Sequence, residues 1–341
     1  MSATPTDQAI FTERLSTWAQ THYGPQAVVG DVRRMPGNSG ISYGFDITHH
    51  GDREGLVVRL TPPGVVRQGN TDIMRQVPLL QALKRAGLPV PEVRWYDEDE
   101  SWFGVPYHMV EHMRGTSTHM FDKGRAEQID GTGLEPVFVE AMGVLAAIHQ
   151  IDWRRELPGW STPRDLEAEI SFWTPSLLKS DDPQWISQGM QIHDRLLATR
   201  PHTPLMSIVH GDFYSNNWLF ADGSLTAVLD WEIASIGSPG LDIGWICMMY
   251  DPKSWSPARH QWSQWSPEPD FLVDAYLAAG GPAVPDLDWF RALAGFRLSC
   301  ITAMGLRLHR TGRRPDPAWE VLGDAAPYMM NRAEELLAGL R

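Results

Sequence analysis

The spacing of apolar residues divides the chain into a first part rich in short strands and a longer part rich in helices. Residues 8–22 show helical spacing, and apolar runs then alternate with turn residues across 27–60, which is typical of an antiparallel meander. Helical spacing returns at 71–86, where Gly87 is the expected C-terminal cap. Pro78 interrupts this run, which predicts either a kink or a late start of the helix.

Two further strand-like runs, at 90–100 and 103–115, complete an expected five-stranded sheet with one long helix. After Gly115 the pattern becomes helical, with helices expected at 134–150, 166–177 and 183–199. Two short strand-like runs, SIVHG and LTAVLDW, interrupt the helices around a turn at ADGS and are predicted to form one hairpin.

This order of elements predicts an α+β protein with two lobes. The expected lobes are residues 1–108 and residues 114–341, joined by a hinge at 109–113. A chain of 341 residues is also long for a single core. Because ligands commonly bind between two lobes, the cleft is the first place to look for a site.

Composition and charge narrow the classes of molecule that the protein is expected to bind and the compartment in which it is expected to lie. The formal net charge of −13 argues against nucleic-acid binding, which needs clustered Lys and Arg. Cys247 and Cys300 both lie in apolar runs and are expected to be buried free thiols of a reducing compartment. We find neither a signal peptide nor a membrane-spanning run, so the expected location is cytoplasmic, without a membrane partner.

The candidate chemistry begins in the stretch IVHGDFYSNN. Asp212 follows an apolar strand-like run, and Asn217 comes five residues later on the same loop. A carboxylate in such a place can accept a proton from a hydroxyl nucleophile, and an amide oxygen can hold a metal ion. For either residue alone, a turn or capping hydrogen bond is the alternative interpretation.

A second oxygen donor follows in LTAVLDWE, where Asp230 ends an apolar strand. Asn217 and Asp230 are predicted to converge at one end of a hairpin and to hold Mg²⁺, which prefers few protein ligands together with phosphate oxygens. The pattern H-x-D-x-x-x-x-N followed by a strand-terminal Asp is the phosphotransfer arrangement of kinases.

These residues carry a resemblance. HGDFYSNN, then VLDWE and SPGLDIGW, resemble the aminoglycoside phosphotransferase-like kinase family. The stretches VVRLTPPG, LPVPEVRWY and LAAIHQIDW make the chain similar to the branch related to the kinase-like domains fused to acyl-CoA dehydrogenases. The resemblance runs over roughly residues 25–310 and implies a bilobal protein-kinase-like fold, with ATP and Mg²⁺ as cofactors and GTP as an alternative nucleotide.

The resemblance also implies roles for single residues. Asp212 corresponds to the catalytic base or the group that orients the acceptor hydroxyl. Asn217 and Asp230 correspond to the ligands of Mg²⁺ that bridges the nucleotide phosphates. His210 is expected to support the loop. Asp242 resembles a structural Asp that braces the loop, although an acidic residue favoured at a helix N-terminus is an equal interpretation.

For the nucleotide, the resemblance implies a phosphate-covering loop and a hinge. The stretch PGNSGIS offers backbone N–H groups and two hydroxyls, with Ser39, Gly40 and Ser42 as the candidates. The hinge is expected to turn backbone groups toward the adenine, at Val110, Glu111 and His112. Met109 is expected to pack beside that pocket.

The sequence departs from the kinase pattern at the phosphate-binding Lys. No Lys precedes Lys84, and Arg59 occupies the matching strand position. The partner Glu is also missing, so either Gln76 or Asp72 is expected to pair with Arg59. This departure is compatible with an altered but working phosphate clamp, or with a weakened or inactive kinase.

Two functions follow from the sequence. The first is an ATP- and Mg²⁺-dependent phosphotransferase acting on a small-molecule hydroxyl, and the alternative is a non-catalytic nucleotide-binding protein. The identity of the acceptor, an antibiotic or a metabolite, stays open because the candidate side chains suit acceptors of different chemistry. They are aromatic at Trp245, Trp255, Trp262, Trp265 and Trp289, acidic at Glu268, Asp270, Asp274, Asp286 and Asp288, and basic at Arg297, Arg307 and Arg310. The sequence gives no indication of an oligomeric state.

Overall fold

Five antiparallel strands form the N-terminal sheet, as the sequence predicts. The computed structural model describes residues 8–35, 41–61, 64, 66–117, 134–202, 205–257 and 267–340. The strands are β1 (Val28–Arg34), β2 (Ile41–His49), β3 (Asp52–Leu60), β4 (Val93–Asp97) and β5 (Tyr107–Glu111). Their spatial order is β1-β2-β3-β5-β4, so the meander holds for three strands and β5 then inserts between β3 and β4.

The first helix, α1 (Gln8–Tyr23), covers one face of this sheet. It buries Phe11, Leu15 and Trp18 completely. The Phe11 ring stacks on Tyr43 of β2 at 4.2 Å, and Trp18 Nε1 donates a hydrogen bond to the Tyr107 hydroxyl at 2.7 Å. The aromatic contacts fix the helix on the sheet and make a core separate from that of the C-terminal lobe.

The second helix, α2 (Gln76–Arg85), starts later than the full periodic run. Two short 3₁₀ turns, Gly69–Thr71 and Ile73–Arg75, precede it. Pro78 therefore lies in the first helical turn, where a missing N–H costs nothing. Of the two expectations for Pro78, the late start is the one that the structure has.

The C-terminal lobe is mostly helical. Its helices are α3 (Leu134–His149), α4 (Trp153–Glu156), α5 (Leu166–Leu177), α6 (Pro183–Ala198), α7 (Gly240–Met249), α8 (Pro269–Ala278), α9 (Leu287–Arg310), α10 (Ala318–Gly323) and α11 (Ala326–Gly339). The long helix α9 is the centre of the lobe and packs against α5, α7 and α11. Cys247 and Cys300 are buried free thiols, as predicted. None of the described helices combines the length and apolar character that crossing a bilayer would require.

The short strands of this lobe pair differently from the prediction of one hairpin. β6 (Ser207–Val209) pairs with β9 (Ser235–Gly237), and β7 (Trp218–Ala221) pairs with β8 (Ser224–Val228). The hairpin turns at Asp222-Gly223, whose φ angles of 54° and 81° suit the tight turns that match strand twist. The prediction that SIVHG and LTAVLDW share a hairpin was wrong because WLFA forms its own strand within the loop.

The connection between the lobes begins later than residue 109. Met109 to Glu111 are the end of β5 and pair with β3. Beyond them, Thr116 exchanges two backbone hydrogen bonds of 3.0 Å with Phe220 of β7. The Val228 N–H also donates to the Pro89 carbonyl at 2.7 Å, which adds a direct bond between the lobes.

A buried histidine in β5 gives the N-terminal lobe a dependence on pH. His108 is fully buried opposite Arg59, and neither ring nitrogen has a hydrogen bond of normal geometry among the described residues. Burial, followed by the charge of Arg59, lowers the pKa of His108 to about 3, against the opposing effect of a weak contact with the Ile73 backbone. The imidazole is therefore neutral in the folded protein.

We predict that His108→Leu flattens the loss of stability in acid. Between pH 6.5 and about 3, His108 is protonated in the unfolded chain but neutral in the folded protein. The unfolding free energy of the wild type therefore falls by ~1.4 kcal/mol for each unit by which the pH is lowered. Leu removes this term. Melting temperatures measured from pH 4 to 8 test this, with the exposed His202→Leu as control; parallel curves for His108→Leu and the wild type would contradict it.

Candidate active site

The loop after β6 brings Asp212 and Asn217 together. The Asn217 side-chain N–H₂ donates to the Asp212 backbone carbonyl at 2.8 Å and to Asp212 Oδ2 at 2.9 Å. The two bonds fix the Asp212 carboxylate relative to its own backbone. Since both use the amide nitrogen, the amide oxygen is the Asn217 atom suited to a metal ion.

Asp230 reaches the same place through the β7–β8 hairpin. The Leu229 N–H donates to the Asn217 carbonyl at 2.8 Å, which holds the residues before β7 and after β8 side by side. The open end of this hairpin thus presents Asn217 and Asp230 together, although the hairpin is β7–β8 and not the predicted pair of SIVHG and LTAVLDW. The φ angle of Asp230 is 64°, a left-handed conformation that Asp tolerates better than most residues and that is frequent at functional sites.

Arg59 of β3 joins the two lobes at this point. One guanidinium nitrogen donates to Gln76 Oε1 at 3.0 Å and the other to Asp230 Oδ1 at 3.3 Å. Asp72 instead accepts the Met74 N–H and pairs with Arg67, at 3.2 and 3.3 Å. Of the two candidate partners of Arg59, the structure therefore has Gln76.

Negative charge exceeds positive charge around these residues. The Glu232 carboxylate lies 4.0 Å from Arg59 and shares that one guanidinium with Asp230. Burial, followed by the charge of Asp230, raises the pKa of Asp212 to about 7, against the opposing effect of Arg297 and Asn217. Burial and Asp230 likewise raise the pKa of the Glu232 carboxyl. A bound cation would relieve this repulsion.

The donor set suits a hard cation with few protein ligands. Within the described ranges no three His, Cys, Asp or Glu side chains are grouped to hold a metal ion by themselves. An amide oxygen of Asn217 and a carboxylate of Asp230 are the type of partial set that Mg²⁺ completes with water and phosphate oxygens. The residues present therefore fit Mg²⁺ together with a nucleotide.

His210 has no position left for chemistry. Its Nε2 lies 2.9 Å from the Leu229 carbonyl, and its Nδ1 accepts the Asp212 N–H at 3.1 Å. These partners assign the proton to Nε2. Burial lowers the pKa of His210, so the ring stays neutral and links the loop to the end of β8.

Asp242, in the first turn of α7, holds the loop from behind. Its carboxylate accepts the His210 N–H at 2.8 Å and the Gly211 N–H at 2.7 Å, and it lies 3.1 Å from His149 Nε2. Burial alone would raise the pKa of Asp242, but the bond and charge of His149, with the other two donors, lower it. The bracing role and the helix N-terminal position both describe this residue.

The structure describes only some of the residues that are predicted to contact the nucleotide. Ser42 lies opposite Arg59 in the β2–β3 register, whereas Ser39 and Gly40 fall outside the described residues. In the predicted hinge Val110 and Met109 are buried in β5. The Glu111 N–H donates to the Glu92 carbonyl and the His112 N–H to the Gly55 carbonyl, both at 2.9 Å, so these amides already have partners. A role of 110–112 toward adenine stays a prediction.

The residues suggested for the acceptor lie apart from one another. Trp245, Trp255 and Trp289 are core residues, each at most 4% exposed, and Trp262 and Trp265 fall outside the described residues. Arg307 and Arg310 pair with Asp181 and Glu320, near a pocket of about 250 Å³ on another face of the lobe. Arg297 is buried, and its guanidinium donates a hydrogen bond to the Gly211 carbonyl.

Two supports of the loop were not predicted. Gly211 has a φ of 86°, and a Cβ there would lie 3.1 Å from the Ile233 carbonyl oxygen, so this position requires glycine. His149, at the end of α3, links Asp242 to the Tyr276 hydroxyl, with Nδ1 at 2.6 Å from that oxygen. The only sequence signal for His149 is its place in LAAIHQIDW, one of the stretches that carry the resemblance.

We predict that Asp242→Asn destabilises the protein by about 2–4 kcal/mol, since one carboxylate oxygen becomes an N–H₂ that confronts a buried donor. Urea denaturation followed by tryptophan fluorescence measures the change. Asp222→Asn, at a side chain that is 89% exposed, is the matched control. Equal denaturation midpoints for the two variants would contradict the bracing role.

Comparison with known proteins agrees with this geometry. The family model of the phosphotransferase enzyme family (APH) matches residues 45–293. Acyl-CoA dehydrogenase family member 11 from Homo sapiens is 25% identical over 256 residues, which cover 72% of this chain and 32% of that protein. The chain thus spans about a third of the length of this curated relative.

Solved structures share the fold. The crystal structure of a putative aminoglycoside phosphotransferase from Ralstonia eutropha JMP134 superposes with a TM-score of 0.77 at 23% identity, covering 97% of this chain and 99% of that one. Aminoglycoside phosphotransferase APH(4)-Ia, solved with ADP and hygromycin B, gives 0.61 at 18% identity, over 95% and 98% of the two chains. With a family match across more than half its residues, the chain belongs to the phosphotransferase enzyme family and has its kinase-like fold.

Proposed function

We propose that the protein transfers the γ-phosphoryl group of ATP, with Mg²⁺, to a hydroxyl group of a small molecule. The observation that carries this proposal is the convergence of an Asp212–Asn217 pair and an Asp230–Arg59 pair at the edge where the lobes meet. The first pair suits the acceptor and the metal ion, and the second suits the metal ion and the phosphates.

Asp212 is the group that receives or orients the acceptor hydroxyl. A base works best when its pKa lies near the working pH, and a pKa of about 7 meets that condition. The bond from Asn217 engages only part of the accepting capacity of the carboxylate, which can still accept a hydrogen bond from the acceptor hydroxyl. Little covalent chemistry is asked of the protein in phosphoryl transfer, so orientation of this kind supplies much of the rate.

Asn217 and Asp230 would hold the metal ion. When bound there, Mg²⁺ would neutralise the charge that develops on the phosphates. Arg59 would contact the phosphates, replacing the Lys usual in kinases. Its planar guanidinium can bond two oxygens at once and stays charged at every working pH.

For the acceptor, we propose only the reacting group, which is a hydroxyl. The family match and the nucleotide-bound relative support a small molecule and an adenine nucleotide, while GTP remains the alternative nucleotide. Hygromycin B is the second ligand of that relative; for this chain, an antibiotic and a hydroxylated metabolite are both candidate acceptors. A screen of both classes for acceptor-dependent ADP release distinguishes them.

A non-catalytic nucleotide-binding protein is the second candidate. The observation that favours it is the Arg59–Gln76 contact, in which a neutral amide replaces the carboxylate of the usual ion pair. Binding of Mg-ATP by calorimetry, without ADP release in the presence of any acceptor or of water, would support this candidate against the first.

We predict that Asp212→Ala lowers turnover by about 10²–10⁴-fold, because the acceptor loses its base, while Mg-ATP affinity changes little. ADP release, measured with the best acceptor of the screen and with water, gives the first quantity, and calorimetry gives the second. Asp222→Asn, at an exposed side chain, is the control. Turnover of Asp212→Ala near the wild-type rate would overturn the assignment.

We predict that Arg59→Met weakens Mg-ATP binding by about tenfold or more, because a charged hydrogen-bond donor to the phosphates is lost. Calorimetry measures the dissociation constant. Arg67→Met, which removes an Arg from the same lobe at its Asp72 pair, is the matched control. Equal affinity in Arg59→Met and Arg67→Met would show that Arg59 does not contact the nucleotide.

A further inference from the structure

Arg297, in the middle of α9, is buried next to the catalytic loop. Its side chain is only 3% exposed, although Arg is among the residues least often buried. The guanidinium lies between two indole rings, 4.8 Å from the centre of Trp173 on α5 and 4.6 Å from that of Trp245 on α7. Three helices therefore converge on one cation.

The guanidinium reaches the peptide that precedes the catalytic residue. Arg297 Nη2 donates to the Gly211 carbonyl, and the N–H of that same peptide unit, which belongs to Asp212, donates to His210 Nδ1. The previous peptide N–H, that of Gly211, donates to Asp242. The 211–212 peptide is thus held at both its carbonyl and its N–H, and the peptide before it is held at its N–H; among these bonds, the one from Arg297 is the bond with a cationic donor.

The energetics of this burial indicate a function beyond packing. A buried charge is costly unless it is fully paired, and Arg297 Nε has no hydrogen-bond partner among the described residues. The ring faces of two tryptophans and the carboxylates of Glu169, Asp212 and Asp242 compensate part of the cost, while the like charge of Arg164 adds to it. If stability were the only requirement, an apolar residue at this place in the core would cost less folding free energy than Arg297.

We propose that Arg297 is a positioning residue for the catalytic Asp212. By holding the Gly211 carbonyl, it sets the orientation of the 211–212 peptide and hence the direction in which the Asp212 carboxylate leaves the loop. Its burial excludes the alternative of a surface cation that binds the acceptor directly. This inference rests on the proposed phosphotransfer, in which Asp212 is the residue that meets the acceptor.

The planar shape of the guanidinium matters as much as its charge. The slot between Trp173 and Trp245 accepts a flat cation that stacks on both rings while its edge donates to a carbonyl. A Lys ammonium can reach the carbonyl but cannot stack, so it is expected to restore the position of the peptide only in part.

The test compares Arg297→Met and Arg297→Lys with the wild type, using Mg-ATP with water as the acceptor. Arg307→Gln, on the same helix but paired with Asp181 on another face, is the control. ADP release gives turnover, calorimetry gives the Mg-ATP dissociation constant, and thermal melting shows whether each variant is folded.

We expect turnover of Arg297→Met to fall by about 10²-fold, toward that of Asp212→Ala, because a small misplacement of a catalytic group has such an effect. We expect the Mg-ATP affinity to stay within about threefold, Arg297→Lys to lie between the wild type and Arg297→Met, and Arg307→Gln to match the wild type. Arg297→Ala should regain turnover when millimolar ethylguanidinium is added, and not with ethylammonium.

Three results would overturn the inference. One is a folded Arg297→Met with wild-type turnover. Another is a loss of Mg-ATP affinity as large as the loss of turnover. If Arg297→Met does not fold, Arg297→Lys decides, since wild-type turnover there removes any need for the stacked guanidinium. Absence of turnover in the wild type with every acceptor would instead overturn the proposed phosphotransfer, on which the inference rests.

Discussion

The structure of the site depends on one buried carboxylate. Asp242 accepts the N–H groups of His210 and Gly211, and these bonds force the chain after β6 to turn sharply before it reaches Asp212. Because the carboxylate stands in the first turn of α7, the helix dipole favours its charge, and His149 adds a third polar neighbour. Without this carboxylate, the backbone of the loop before Asp212 would lose its fixed hydrogen-bond acceptor.

Two arginines of the N-terminal lobe bond the segment of the other lobe that carries Asp230. Arg59 bonds Gln76 in its own lobe and Asp230 in the other. Arg75 donates to the Glu232 and Ala234 carbonyls, at 3.3 and 2.9 Å, and stacks on Trp160. The segment after β8 is therefore held from the N-terminal lobe at three successive points, which keeps Asp230 in its left-handed conformation beside Asn217. Attraction between the carboxylates of this segment and the arginines opposite them holds the two sides of the cleft together.

Local patterns in the sequence predicted what depends on neighbours along the chain. The five strands and an irregularity of α2 near Pro78 followed from periodicity and turn residues, and the closeness of Asn217 and Asp230 followed from spacing, although the hairpin expected to bring them together was a different one. The insertion of β5 between β3 and β4, and the pairing of β6 with β9, depend on contacts between distant segments, which periodicity does not record. The burial of Trp245 and Arg297 beside Asp212 depends on three helices meeting, so no single stretch of sequence carries a signal for it.

The arginine of β3 has a consequence for how proteins of this type are detected. Reagents that label nucleotide sites by acylating a lysine near the phosphates need an amine that can lose its proton, and a guanidinium does not provide one. In this chain no Lys precedes Lys84, whose amine donates to the Val90 carbonyl at 3.0 Å and lies 3.7 Å from Glu111. Chemical surveys that rely on a reactive lysine in β3 would therefore find none at this position of the chain, and the proposed binding of a nucleotide has to be followed by methods that require no covalent bond.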